Sequence, residues 1–154
     1  MPEMPETDTP KLSLWLQKLK EIAGKPDENL YLIGHSLGCI TIMRYLESLS
    51  EGEKIRGVVF VAGFTDNLEY KELDSFFEAP IDFEKIKSKA SYFTAIYSDN
   101  DPYVPTKHAD IFKEKLGAEL IFKPGMKHFS GQAVYKENCT SLPDVSQAIF
   151  KMIK

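Results

Sequence analysis

Three polar side chains have the types and the chain order that nucleophilic chemistry needs. Ser36 stands in Gly34-His35-Ser36-Leu37-Gly38. Asp101 stands in Ser98-Asp99-Asn100-Asp101-Pro102-Tyr103-Val104-Pro105, and His128 in Pro124-Gly125-Met126-Lys127-His128-Phe129. A serine hydroxyl is a weak nucleophile. It needs a base to take its proton, and an imidazole base needs a carboxylate to fix its tautomer and orientation. Asp99 is a second candidate for the acid. Asp101 is preferred, because Asp-Pro-x-x-Pro sets it in a fixed turn before the next helix and leaves Asp99 nearer the strand end. Either aspartate could instead only stabilise a turn. Of the other histidines, His35 lies inside the serine motif, and His108 is expected on the solvated face of a helix.

The elements around Ser36 decide whether its motif means anything. Residues 30–33 form a short apolar run after Pro26-Asp27-Glu28-Asn29 and read as a buried strand. Residues 37–49 continue past strand length with Arg44 and Glu47 among apolar residues, and read as a helix. Strand, Gly-x-Ser-x-Gly, helix is the nucleophile elbow of α/β-hydrolases, whose acid and histidine follow the serine in that order. The glycines are expected to let strand and helix approach closely around a strained serine. The Leu37 N–H, at the helix N-terminus, is the expected oxyanion donor.

The rest of the chain alternates the same way. A helix over residues 11–23 carries Leu12, Trp15, Leu16, Leu19 and Ile22 at helical spacing and stops at Gly24, with Trp15 as packing anchor. The proline-rich stretch before it, residues 1–10, should be extended or loose. Strands are expected at residues 57–63, 92–97 and 118–123, and helices at 106–116, stopped by Gly117, and 142–153, capped by Ser141. This predicts one α/β domain over residues 1–154 with a doubly wound parallel sheet. All three chemical residues then fall just past the C-terminal ends of strands, so one sheet edge can gather them.

Residues 64–89 make a long excursion from that edge, ending in a short helix begun by Asp82. Its aromatics, Tyr70, Phe76 and Phe77, are candidates for the roof of a substrate pocket. An ordinary crossover with those rings in the core is the other reading.

Composition narrows the function classes. The chain has 154 residues, 43% hydrophobic and 12% aromatic, enough for a real core. A net charge of −4 and a pI near 5.4, with no basic stripe, argue against nucleic acid as a partner. No apolar run reaches membrane-spanning length, and no signal peptide with a basic n-region is visible. No His/Cys/Asp/Glu cluster has metal-ligand spacing, and no Gly-rich loop fits a phosphate, so neither metal nor cofactor is expected. Cys39 and Cys139 make no disulfide framework, which points to a reducing cytoplasm, with Cys39 a small core residue.

Gly-His-Ser-Leu-Gly-Cys, Ser-Asp-Asn-Asp-Pro-Tyr-Val-Pro and Gly-Met-Lys-His-Phe, with the Met-Pro-Glu residues ahead of a Trp-containing helix, resemble the YdeN-like serine hydrolases, a group related to retinoblastoma-binding protein nine. The resemblance covers nearly the whole chain. It implies a compact α/β-hydrolase with Ser36, Asp101 and His128 as triad, acting on small-molecule esters or related acyl compounds. Family members begin with a further strand, a His-Gly type loop that supplies the second oxyanion donor, a helix and another strand. This sequence lacks them, so it reads as N-terminally truncated, with an apolar strand at an open sheet edge prone to poor folding or pairing. The contrasting functional reading is a non-catalytic binding or scaffold protein on the same fold.

Overall fold

The computed structural model describes residues 2–131 and 139–154. Four strands, β1 (Tyr31–His35), β2 (Ile55–Val61), β3 (Ala90–Tyr97) and β4 (Glu119–Phe122), form a parallel sheet in the order β1-β2-β3-β4. The register runs Ile33 to Val59, Val59 to Thr94 and Thr94 to Glu119. Parallel neighbours need crossovers, and helices supply them: α2 (Leu37–Glu47), α3 (Phe83–Ser88) and α4 (Lys107–Ile111). Helix α1 (Leu12–Ala23) precedes the sheet and α5 (Pro143–Ile153) follows it.

Side-chain alternation in the strands divides the core in two. Leu32, Val58, Phe60 and Ala95 pack with Trp15 of α1, with Cys39, Ile40 and Met43 of α2, and with Ala109 and Phe112. Val59, Val61 and Ile96 point to the other face and meet Ala148 and Met152 of α5. Helices therefore cover both faces, and the buried β-branched strands follow from that. Among the described residues β1 pairs only with β2, and Ile33 on that outer strand is 54% exposed.

Local chemistry sets the helix ends. Gly24 closes α1 at φ 64, and its N–H donates to the Lys20 carbonyl. Asp82 caps α3, its Oδ1 accepting from the Lys85 N–H at 2.9 Å. Ser141 does not cap α5, contrary to expectation. Leu142 holds the cap position, and Pro143 opens the helix with a preset φ and no N–H to satisfy. The expected helix over 106–116 is α4 continued by one wider π turn, Phe112–Leu116, and it ends at left-handed Gly117.

Two further expectations change. Residues 2–10 are not simply extended, since residues 5–8 form a turn. The Trp15 indole N–H donates to the Pro5 carbonyl at 2.8 Å, and Pro10 is buried. His108 is not solvated but fully enclosed, beneath the loop that follows β2, where the Thr65 N–H donates to its Nδ1. The excursion after β2 is fastened to α2 by Arg44, only 7% exposed. Its guanidinium donates to the carbonyls of Phe76 at 3.0 Å and Pro80 at 3.2 Å, and it pairs with Glu47 at 2.8 Å.

Candidate active site

Strand β1 ends at His35 and α2 begins at Leu37, so Ser36 alone makes the turn, at φ 54 and ψ −120. That region is costly for a residue with a Cβ, about 1–3 kcal/mol, and persists only where surrounding structure dictates it. Here the Ser36 N–H donates to the Val61 carbonyl and the Cys39 N–H to the Ser36 carbonyl, both at 2.9 Å. Gly34 is sterically required: a Cβ there would sit 2.9 Å from the Cys39 nitrogen and the Gly38 backbone. Gly38 is not, since a Cβ would meet nothing within 4 Å. The close approach expected of both glycines belongs to the first alone. Leu37 is the first residue of α2, so its N–H has no partner within the helix.

The loops after β3 and β4 bring the other two residues over this turn. His128 Nε2 lies 2.9 Å from Ser36 Oγ, and its Nδ1 lies 2.8 Å from Asp101 Oδ2. A carboxylate oxygen only accepts, so Nδ1 carries the proton of the neutral ring. That leaves the Nε2 lone pair facing the serine hydroxyl. The other oxygen of Asp101 accepts the N–H groups of Tyr103 at 2.9 Å and Val104 at 3.0 Å. The two readings of Asp101, turn residue and histidine partner, thus hold together, one oxygen for each. Burial pushes its carboxyl pKa up, but the His128 bond and the two backbone N–H bonds outweigh that and hold it below the usual carboxylate range. The Asp101 side chain is 2% exposed and that of His128 12%. Asp99 points elsewhere: its Oδ1 accepts from the Gly125 N–H at 2.8 Å.

Ser36, Leu37 and His128 open into a cavity of about 590 Å³. Its walls are mostly apolar, from Trp15, Phe64, Leu68, Tyr70, Leu73, Tyr103 and Val104, and Thr7 and Asp8 contribute from the N-terminal stretch. Of the three aromatics expected at the pocket, only Tyr70 lines it. Phe76 is fully buried and meets Trp15 edge-on, with ring centroids 5.9 Å apart. Phe77 packs beside Phe64 and lines a neighbouring hollow with Thr65 and Asp74. The Arg44 bond to the Phe76 carbonyl pins this segment to α2, and so fixes which rings face inward.

Sequence reasoning missed Tyr103, whose ring stands edge-on to His128 at 5.1 Å, and His35, whose ring lies 4.9 Å from His128. His35 sits inside the Ser36 motif and Tyr103 inside the Asp101 motif. Among the described residues no group of three or more His, Cys, Asp or Glu side chains could hold a metal ion, and no helix is long and apolar enough to cross a membrane.

The parallel sheet, the serine turn and the histidine at one sheet edge define an α/β-hydrolase-like fold. Comparison with known proteins narrows this. The sequence matches the serine hydrolase family over residues 2–147. YdeN of Bacillus subtilis (strain 168), which carries a hydrolase name, is 34% identical over 143 residues, covering 92% of this chain and 73% of YdeN. The serine hydrolase RBBP9 of Rattus norvegicus is 30% identical over 128 residues, covering 82% of this chain and 66% of RBBP9. The crystal structure of the Bacillus subtilis ydeN gene product superposes with a TM-score of 0.89 over 99% of this chain and 80% of that one, at 31% identity. The chain belongs to the serine hydrolase family and is an enzyme of that class.

Proposed function

We propose that this serine hydrolase cleaves small esters or related acyl compounds through an acyl-enzyme, with Ser36 as nucleophile, His128 as base and then acid, and Asp101 as the orienter. The observation that carries the proposal is the unbroken line from Asp101 Oδ2 through the His128 ring to Ser36 Oγ, at 2.8 and 2.9 Å, opening on an apolar cavity. In the first half-reaction Ser36 Oγ attacks the acyl carbon as its proton passes to Nε2. The Leu37 N–H at the start of α2 meets the oxyanion. Nε2 then returns the proton to the leaving alcohol. In the second half, water takes the serine's role and releases the acid.

Size and lining support the substrate class. About 590 Å³ lies in the range of small-ligand sites, and a cavity surface more apolar than polar suits an uncharged acyl chain. The same reading places the enzyme in a reducing cytoplasm as one domain. Cys39 and Cys139 form no disulfide with each other, and burial pushes the Cys39 thiol up to about 12, inert as a nucleophile.

Ser36→Ala tests the proposal. It removes one half-buried oxygen at the cavity and leaves the core untouched. Turnover of a short activated ester should fall about 10⁴-fold or more, with cooperative unfolding retained. Residual turnover within about tenfold of the parent would overturn the covalent mechanism.

A further inference from the structure

Four consecutive residues of the loop after β3 hold four consecutive residues of the loop after β4. Asp99 Oδ1 accepts from the Gly125 N–H at 2.8 Å, Ser98 Oγ from the Met126 N–H at 3.0 Å, and Asn100 Oδ1 from the Lys127 N–H at 2.8 Å. Asp101 takes the His128 ring itself. Two of the four are also linked to each other. The Ser98 hydroxyl, 1% exposed, donates to Asn100 Oδ1 at 2.9 Å while it accepts from Met126. From the opposite side the His35 ring reaches the His128 carbonyl at 2.7 Å. A carbonyl only accepts, so His35 Nε2 carries that proton.

The loop needs holding. Lys127 at φ 48 and Phe129 at φ 55, the two neighbours of His128, both lie in the left-handed region although both have a Cβ. Such conformations persist only where surrounding bonds impose them. Released, residues 127–129 would relax toward ordinary φ and carry the ring away from Ser36. The bond on the Lys127 N–H acts on the strained residue directly.

We propose that Ser98, Asp99 and Asn100 are positioning residues for His128, with Asn100 the decisive one. They make no contact with the reacting atoms. Their acceptors hold the strained loop so that Nε2 stays within reach of the serine. This rests on His128 being the base. A merely structural role would lower stability and leave turnover by the folded enzyme unchanged. A positioning role lowers kcat and largely spares KM, because Trp15, Phe64, Leu68, Tyr70 and Leu73 of the cavity wall come from other elements.

The test compares Asn100→Leu with Asn100→Asp. Leucine removes the acceptor. Aspartate keeps one for both the Ser98 hydroxyl and the Lys127 N–H. With a short activated ester, Asn100→Leu should lose about 100-fold in kcat at unchanged KM, the scale of an ångström's misplacement. Asn100→Asp should stay within about tenfold of the parent. Proton NMR gives a second readout that needs no turnover. The His128 Nδ1–H resonance, downfield and sharp in the parent and in Asn100→Asp, should broaden or vanish in Asn100→Leu. Parental kcat in Asn100→Leu, equal losses in both variants, or an unchanged Nδ1–H signal would overturn the proposal. If the parent itself turns over no ester, the hydrolytic reading fails, and the NMR comparison still decides whether Asn100 positions the ring.

Discussion

Two histidines of this chain each keep an aspartate beside the ring, and only one of them faces a serine. His128 donates from Nδ1 to Asp101 at 2.8 Å, in the wall of a cavity. His108, in α4, is fully enclosed, and its Nδ1 receives the Thr65 N–H at 3.3 Å, with the Thr65 hydroxyl 3.0 Å away. A backbone N–H only donates, so Nδ1 of His108 is the bare nitrogen and Nε2 carries the hydrogen. That Nε2 has no hydrogen-bond partner, and Asp66 Oδ1 stands 3.9 Å away, too far for one. The two rings are opposite tautomers. A carboxylate on Nδ1 leaves Nε2 as a base; a donor on Nδ1 makes Nε2 an N–H that cannot take a serine's proton. An aspartate nearby does not make a histidine catalytic. The nitrogen it bonds decides.

The largest test of this contrast is Asp101→Asn. Its amide can present NH₂ to Nδ1 and force His128 into the tautomer that His108 holds. Turnover of a short ester should drop about 10⁴-fold. Asp99→Asn keeps an oxygen for the Gly125 N–H and should stay within about tenfold. The reverse ranking would mean that the acid is misassigned.

A second contrast lies in the excursion after β2. Phe76→Ala should cost about 3–5 kcal/mol of stability, measured by denaturant unfolding, because a fully buried ring leaves a void against Trp15. Tyr70, 48% exposed, should cost under about 1 kcal/mol when changed to alanine, while shifting the preferred acyl chain length. An unchanged chain-length profile would remove Tyr70 from the substrate wall.

His108→Gln should leave kcat within about threefold of the parent, since the ring touches nothing in the cavity. It should also alter the pH dependence of stability. Burial lowers the His108 pKa, with Lys107 adding to this and Asp66 opposing it. The folded state therefore resists protonation that the unfolded chain accepts. Stability holds above the ordinary imidazole value of 6.5 and falls as pH drops below it. Unfolding midpoints measured from pH 7 to about 5 should slope less in the variant. Equal slopes would show that another group titrates there.

The sequence made the chemical core legible because the motifs are local. Gly34, Ser36 and the apolar runs beside them specify a strand, a turn and a helix within about twenty residues, and the order serine, acid, histidine constrains the rest. Asp101 was separable from Asp99 by its prolines. What stayed hidden depends on contacts distant in sequence. His108 shows a helical position but not the Thr65 loop that closes over it from 43 residues away. Phe76 and Tyr70 look alike until Arg44 of α2 fixes the segment between them and the sheet. Asp99 reads as a spare acid until Gly125 is placed beside it.

Labelling with a fluorophosphonate reads out directly whether Ser36 is an activated nucleophile. Intact mass should rise by one adduct, peptide mapping should place it on Ser36, and excess short ester should slow its formation. Ser36→Ala should take none, and Asp101→Asn should label far more slowly. A folded protein that takes no adduct, or takes it on another serine while Ser36 stays unmodified, would mean that Ser36 is not the nucleophile.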